Sequence, residues 1–283
     1  GSDVYKCQGL LRVLNDEDEA VGDWDPKLDV ETLRQALEHM VRIRAYDDRM
    51  MKMQRTGKLS FYMRSLGEEA IAIAQTMALE DQDWIFPSYR QPGAQFVRGR
   101  DMVSMICHCI GNELDNVKGR QMPVHYTYKE GRFISISSPV GTQFSQAVGV
   151  AMAERILDKS NITIILAGDG AIEEGSFHES LLMLKSLELS SLVIIENNEW
   201  SMSTRISERR HNIDLEKFSA SMDVKYCKLS GNDPIENIEK LNPLCLPIIV
   251  EDPYLAFAYT THLFSDLNQS CLLYTSPSPR DAT

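Results

Sequence analysis

Two short apolar runs, separated by a single helix-length segment, constrain this chain more than anything else in it. Ile162–Ala167 and Leu192–Ile195 each read as a buried strand. Between them Phe177, Leu181, Leu184 and Leu187 recur at helical spacing. A strand, a helix and a strand in this order obey the right-handed crossover rule, which sets the two strands parallel and close together in one sheet. Gly168-Asp169-Gly170 follows the first run and Asn197-Asn198 follows the second. Asp169 and Asn198 therefore fall at the same carboxyl edge, where open α/β folds bind their ligands. The fold class is α/β, a mostly parallel sheet flanked by helices.

The rest of the chain fits around that unit. Asp29 can cap a helix from Val30, with Leu33, Leu37, Met40 and Val41 as its apolar stripe. Gly67–Leu79 reads as a helix whose small residues Ala70, Ala72 and Ala74 suit close packing, and the segment DWIFPSYR brings the chain out at Tyr89-Arg90. A β-like run through Ile136, a turn around Ser138-Pro139 and a long helix lined by Ala147, Gly149, Ala151 and Ala153 come next. Such a turn aims backbone N–H groups at whatever lies above the sheet edge. One domain is expected over residues 27–269, preceded by an acidic peripheral segment, 1–26. The tail, 270–283, has no periodicity and resembles a fusion scar, so it is set aside.

Composition narrows the function. The 283 residues, 43% hydrophobic and 25% charged, suffice for a real core. A formal charge of -12 argues against non-specific binding to nucleic acid or an anionic membrane. The cysteines (7, 107, 109, 227, 245, 271) form no CxxC pair, so neither a zinc knuckle nor a disulfide framework is expected and the thiols read as free. No apolar run approaches the ~20 residues of a membrane span.

A carboxylate, an amide oxygen and a backbone carbonyl converging at a sheet edge are hard oxygen donors. They suit octahedral magnesium that shares its other positions with a diphosphate and water. Glycines flanking Asp169 would let the backbone turn sharply and approach a phosphate without Cβ interference. The alternative is an ordinary strand-to-helix turn, with Asp169 as a cap and Asn197-Asn198 as a second turn. A Rossmann fingerprint is not made, because Gly175 comes too late after Gly168 and Gly170.

The GDG and NN pairs, roughly thirty residues apart, resemble the thiamine-diphosphate signature. GEEA at Gly67, FPSYRQPG at Phe86, KGRQMPVHY from Lys118 to Tyr126, SISSPVGTQ from Ser135 and GND at Gly231 make the chain similar to alpha subunits of branched-chain 2-oxo acid dehydrogenases. The likeness runs from about Arg12 to Asp266 and is strongest up to Thr204. It implies a thiamine-diphosphate-binding fold, with Asp169, Asn198 and the carbonyl of Trp200 as magnesium ligands. Tyr89 and Arg90 would hold the diphosphate. Ser138 and Val140 would border the thiazolium and pyrimidine, and Gly168, Gly170 and Ala171 would line the cofactor. Ser137, Pro139, Thr142 and Gln143 match a potassium site.

His262, followed by Ser265 and Asp266 at the family's offsets, is the implied active-site histidine; for His125, inside KGRQMPVHY, the resemblance allows a loop role near the substrate channel. The implied reaction is oxidative decarboxylation of a small branched-chain 2-oxo acid, with acyl transfer to a lipoyl-bearing acyltransferase core. The glutamate that generates the ylid is expected from a beta subunit, in a heterotetramer. Glu68, Glu69, Glu173, Glu174 and Glu196 read as solvated or structural. Location would be the mitochondrial matrix in a eukaryote and otherwise the cytoplasm. Two departures stand out: Glu196 occupies the place of a phosphate-binding arginine in animal members, and the stretch from Thr204 to Gly231 is shorter than the family pattern. A non-catalytic paralogue that keeps the fold as an assembly subunit is the alternative.

Overall fold

The computed structural model describes residues 28–210, 213–230 and 247–251. The expected peripheral segment, the tail and His262 with Ser265 and Asp266 lie outside the described residues. Helices α1 (Val30–Arg55), α2 (Glu69–Met77), α3 (Pro92–Val97), α4 (Met102–Ile110), α5 (Thr142–Ile156), α6 (Gly175–Ser186), α7 (Ile206–Arg209) and α8 (Leu215–Ser221) surround the strands. The strands are β1 (Trp84–Phe86), β2 (Thr163–Gly168), β3 (Ser191–Asn197), β4 (Trp200–Ser201), β5 (Thr204–Arg205), β6 (Cys227–Ser230) and β7 (Pro247–Glu251). β4 and β5 make a small antiparallel hairpin. The other five form one parallel sheet in the order β1-β2-β3-β7-β6.

The expected strand–helix–strand unit is β2-α6-β3, paired in parallel from Thr163↔Ser191 to Gly168↔Glu196. Its strands are buried on both faces, which is why they read as unbroken apolar runs. The pleat divides them. Ile164, Leu166, Leu192 and Ile194 pack with Met40, Ile43 and Ile71 of α1 and α2. Ile165, Ala167, Val193 and Ile195 pack with Phe144, Ala147, Phe177 and Leu181 of α5 and α6. Each fully buried Leu or Ile contributes about 1.5–3 kcal/mol by leaving water. Leu187, the last residue of the helical pattern, follows α6 as its cap and is 36% exposed.

Asp29 caps α1 as expected, its Oδ1 accepting from Thr32 N at 2.9 Å. The buried face of α1 differs from the expected stripe. Ala36, Met40, Ile43 and Met50 are buried together with Tyr46 and Asp47, whereas Val41 faces solvent. One residue turns a helix by about 100°, which carries Val41 off the edge of the buried stripe that Met40 belongs to. The same geometry divides α5. Ala147 and Ala151 pack inward, but Gly149 and Ala153, two residues further on in each case, are exposed. The β-like run through Ile136 is held by single bridges at Phe133 and by Ile136 N donating to Tyr126 O at 3.0 Å, and forms no ladder of its own. Cys107 and Cys109 are buried free thiols. Among the described residues, no helix is long and apolar enough to cross a membrane.

Candidate functional site

β2 and β3 end in step. Gly168 is level with Glu196, and Asp169 N donates to Glu196 O at 3.1 Å, so Asp169 and Asn198 emerge from adjacent strands at the same edge. A cleft of about 510 Å³ lies over that edge. Tyr89 and Arg90, from the loop after β1, line it together with Gly168, Asp169, Gly170 and Ala171. Asn198, just after β3, and Trp200, on β4, close it from one side, and Ser137 and Val140 from the turn before α5 with Gln143 from its first turn.

The two strand-end side chains are both held from behind. Asp169 is 1% exposed, and its Oδ2 is ion-paired with Nη2 of Arg209 on α7. Burial pushes its carboxyl up, while Arg209 and then Arg210 pull it back. Asn198 Oδ1 accepts from Trp200 N at 2.9 Å, and its Nδ2 donates to Glu68 Oε1 at 3.0 Å. A backbone N–H only donates and a carboxylate only accepts, so the amide has one orientation.

Of the two alternatives in the sequence reading, solvated or structural, Glu68 and Glu196 are not solvated: both are 3% exposed and both line the cleft. Glu68 Oε2 is buried without a hydrogen-bond partner. Glu196 Oε1 accepts from Gln91 Nε2 at 2.7 Å. Burial, then the nearby charge of Glu68, pushes the Glu196 carboxyl up to about 8. Burial also raises Glu68, against the pull of Arg90. Glu69 is structural, joining Arg44 to Gly67 N. Glu173 and Glu174 are exposed, as expected.

Arg90 Nη1 donates to Arg64 O at 2.7 Å, which aims the guanidinium along the cleft wall it lines. The flanking glycines are there for space rather than for turning, since neither has a positive φ. A Cβ on Gly168 would meet nothing within 4 Å, whereas one on Gly170 would come 2.6 Å from Ser201 Oγ of the hairpin.

The turn before α5 only partly matches the sequence reading. Ser138, Pro139 and Thr142 do not line the cleft. Ser138 Oγ donates to His125 Nε2 at 2.8 Å, and His125 Nδ1 donates to Pro123 O at 2.9 Å, which ties the KGRQMPVHY block to the turn. Because a carbonyl only accepts, His125 carries its proton on Nδ1. Thr142 Oγ1 donates to Pro139 O at 2.9 Å, and Gln143 Nε2 donates to Leu166 O at 3.2 Å. Gly141, at φ 87, makes the turn possible.

Among the described residues, no cluster of three His, Cys, Asp or Glu side chains could hold a metal. A cation here would rest on one carboxylate plus amide and carbonyl oxygens, the donor set that magnesium takes when phosphate oxygens and water complete its shell. The residues fit such a group: Asp169 and an amide of fixed orientation share one cleft, and the space above Gly168 is open. Arg209 and Arg210 were missed in the sequence because a four-residue helix has no apolar period to announce it.

Residues 38–239 match the family described as dehydrogenase E1 component. The 2-oxoisovalerate dehydrogenase subunit alpha of Pseudomonas aeruginosa is 46% identical over 69% of this chain and 48% of its own length. Mitochondrial 2-oxoisovalerate dehydrogenase subunit alpha 1 of Arabidopsis thaliana is 35% identical over 79% of this chain and 48% of its own, and the mouse mitochondrial subunit alpha is 33% identical over 79% and 51%. The chain spans about half the length of the curated relatives it matches.

Proposed function

Because this chain belongs to the dehydrogenase E1 component family, we propose that it is part of the alpha subunit of a thiamine-diphosphate-dependent dehydrogenase of branched-chain 2-oxo acids. One observation carries this reading: Asp169 and Asn198, at the ends of adjacent parallel strands, line a single cleft with Arg90. In the proposed complex Asp169, Asn198 and the Trp200 carbonyl hold magnesium, while Arg90 and Tyr89 take the diphosphate. A guanidinium suits that group because its forked donors match phosphate oxygens. Thiamine diphosphate, when bound, supplies the carbanion that attacks the 2-keto carbon and accepts the electrons left as carbon dioxide departs.

This chain's own part is to bind and orient. Glu68 fixes the Asn198 amide, Val140 and Gly168 border the space for the ring system, and the His125–Ser138 bond holds the turn beneath it. Potassium at Ser137, Pro139, Thr142 and Gln143 would need the Thr142–Pro139 bond to give way to coordination. His262 retains its proposed active-site role on sequence grounds alone. The ylid-forming glutamate is assigned to a beta subunit in a heterotetramer, with a lipoyl-bearing acyltransferase as acceptor. The mitochondrial names of the eukaryotic relatives support the matrix as its location in a eukaryote, with the cytoplasm as the bacterial counterpart.

The test is decarboxylation of 3-methyl-2-oxobutanoate by the full-length protein, with thiamine diphosphate and magnesium, alone and mixed with its beta partner. Turnover only on mixing is expected. Turnover by the chain alone would remove the shared site, and an inactive but cofactor-loaded mixture would favour a non-catalytic assembly subunit.

A further inference from the structure

Asp169 meets the cleft with one oxygen already taken. Arg209 Nη2 pairs with Asp169 Oδ2 and Arg209 Nη1 donates to Glu173 Oε1 at 2.5 Å, so one guanidinium bridges two carboxylates of the loop after β2. Arg210 Nε lies 3.4 Å from the same Glu173 oxygen. The two arginine side chains are only 10% and 11% exposed, and Arg209 Nε is buried without a hydrogen-bond partner. Yet α7, which carries Arg209, has no buried residue. Ion pairs, rather than apolar packing, fasten this short helix to the cleft.

We propose that Arg209 is a positioning residue that makes entry of the divalent cation conditional on the diphosphate. The proposal rests on the reading of Asp169 as a metal ligand. A bare divalent cation on the remaining Asp169 oxygen would stand within a carboxylate's width of a guanidinium, in a buried setting where screening is weak, and the two would repel. A diphosphate reverses the sign. The cation and diphosphate together carry net negative charge, so the same guanidinium attracts the pair that it would exclude as a bare ion. Arg209 also keeps the Asp169 carboxylate hydrogen-bonded and oriented, the part that groups behind a metal ligand commonly play. Arg90, which lines the cleft, adds a second attraction for the diphosphate and none for the metal. The site thus binds its two ions as one unit and stays closed to free cations.

The test is a titration with Mn2+, followed by electron paramagnetic resonance, on the full-length protein co-expressed with its partner subunit, with and without thiamine diphosphate. Wild type should bind Mn2+ weakly alone and much more tightly with the diphosphate. Arg209→Gln should bind bare Mn2+ about tenfold tighter and lose most of the gain from the diphosphate, a coupling of ordinary size. Arg209→Lys, which keeps the charge, should behave as wild type. Glu173→Gln should shift bare Mn2+ affinity the opposite way, to weaker binding, so an unstable Arg209→Gln still leaves the proposal open to refutation. Unchanged bare-ion affinity in Arg209→Gln, or the same direction of change in both glutamine variants, overturns the role of Arg209. Wild type that binds no Mn2+ even with thiamine diphosphate overturns the reading of Asp169 beneath it.

Discussion

Glu68 Oε1 accepts the Asn198 amide hydrogen at 3.0 Å, a contact that spans 130 positions of sequence and joins the start of α2 to the end of β3. With Trp200 N donating to the amide oxygen from the other side, Asn198 is held at both ends. An asparagine that can rotate must first be ordered before its oxygen meets a cation. One that cannot is a prepared oxygen ligand.

Glu68→Met keeps the volume and removes the acceptor. It should weaken magnesium binding by about 10- to 100-fold, the usual cost of deleting the group behind a ligand. Calorimetry with magnesium and thiamine diphosphate measures this, with circular dichroism confirming the fold. Unchanged affinity would mean that Trp200 N alone orients the amide.

Arg90→Ala addresses the phosphate end. Loss of a charge-assisted hydrogen bond should cost about 1.5–3 kcal/mol of cofactor affinity. If titration of the reconstituted protein shows no loss, Arg90 acts only through Arg64 O and the nearby glutamates.

The two sides of this site were not equally visible in the sequence. Asp169 and Asn198 could be placed because β2 and β3 are buried on both faces and so spell themselves out as apolar runs with polar residues at their ends. The burial of Glu68 and Glu196 could not be read there, since a carboxylate in a sequence is solvated by default and only the folded cleft shows that these two are 3% exposed. Arg209 left no mark either, because its position depends on a hairpin of two-residue strands and a four-residue helix. On α1 the sequence pattern located the helix and its cap but misassigned Val41, where an apolar side chain is simply exposed. Single exposed aliphatic residues are common and leave no pattern to detect.

Asp47 supplies a pH-dependent contribution outside the cleft. It is 1% exposed and accepts from Tyr62 Oη at 2.6 Å, Ser65 N at 2.8 Å and Ser65 Oγ at 3.0 Å. These donors favour the ionised form, but burial outweighs them and raises the carboxyl from 3.8 to about 6. The folded state therefore holds the proton more tightly than the unfolded state, so the contribution is full below pH 3.8 and is lost as pH rises through about 6. Its size is on the order of 3 kcal/mol. Asp47→Asn removes the titrating group, so it should flatten the slope between about pH 4 and 6.5, and its stability relative to wild type should improve as pH rises through about 6. Urea unfolding across that range reads the slope, and a variant as steep as wild type would assign the pH dependence to other groups.

The glycines on either side of Asp169 should respond differently to one added methyl group. Both have backbone angles open to alanine, so only space decides. At Gly170 the new Cβ would lie 2.6 Å from Ser201 Oγ and 2.9 Å from Ser201 Cβ, too close without displacing the β4–β5 hairpin that carries Trp200. Gly170→Ala should cost about 1–3 kcal/mol, as overpacking usually does. Ser201→Gly in the same chain should recover most of it, since the clash is with that side chain. At Gly168 the methyl would meet no atom within 4 Å and would project from a residue that lines the cleft. Gly168→Ala should leave the melting temperature unchanged and weaken thiamine diphosphate binding, because it fills space that the cofactor needs. The measurement is a melting curve and a cofactor titration for each variant. If Gly168→Ala binds thiamine diphosphate as tightly as wild type, the cofactor does not approach the β2 strand end, and the placement of the diphosphate beside Asp169 fails with it.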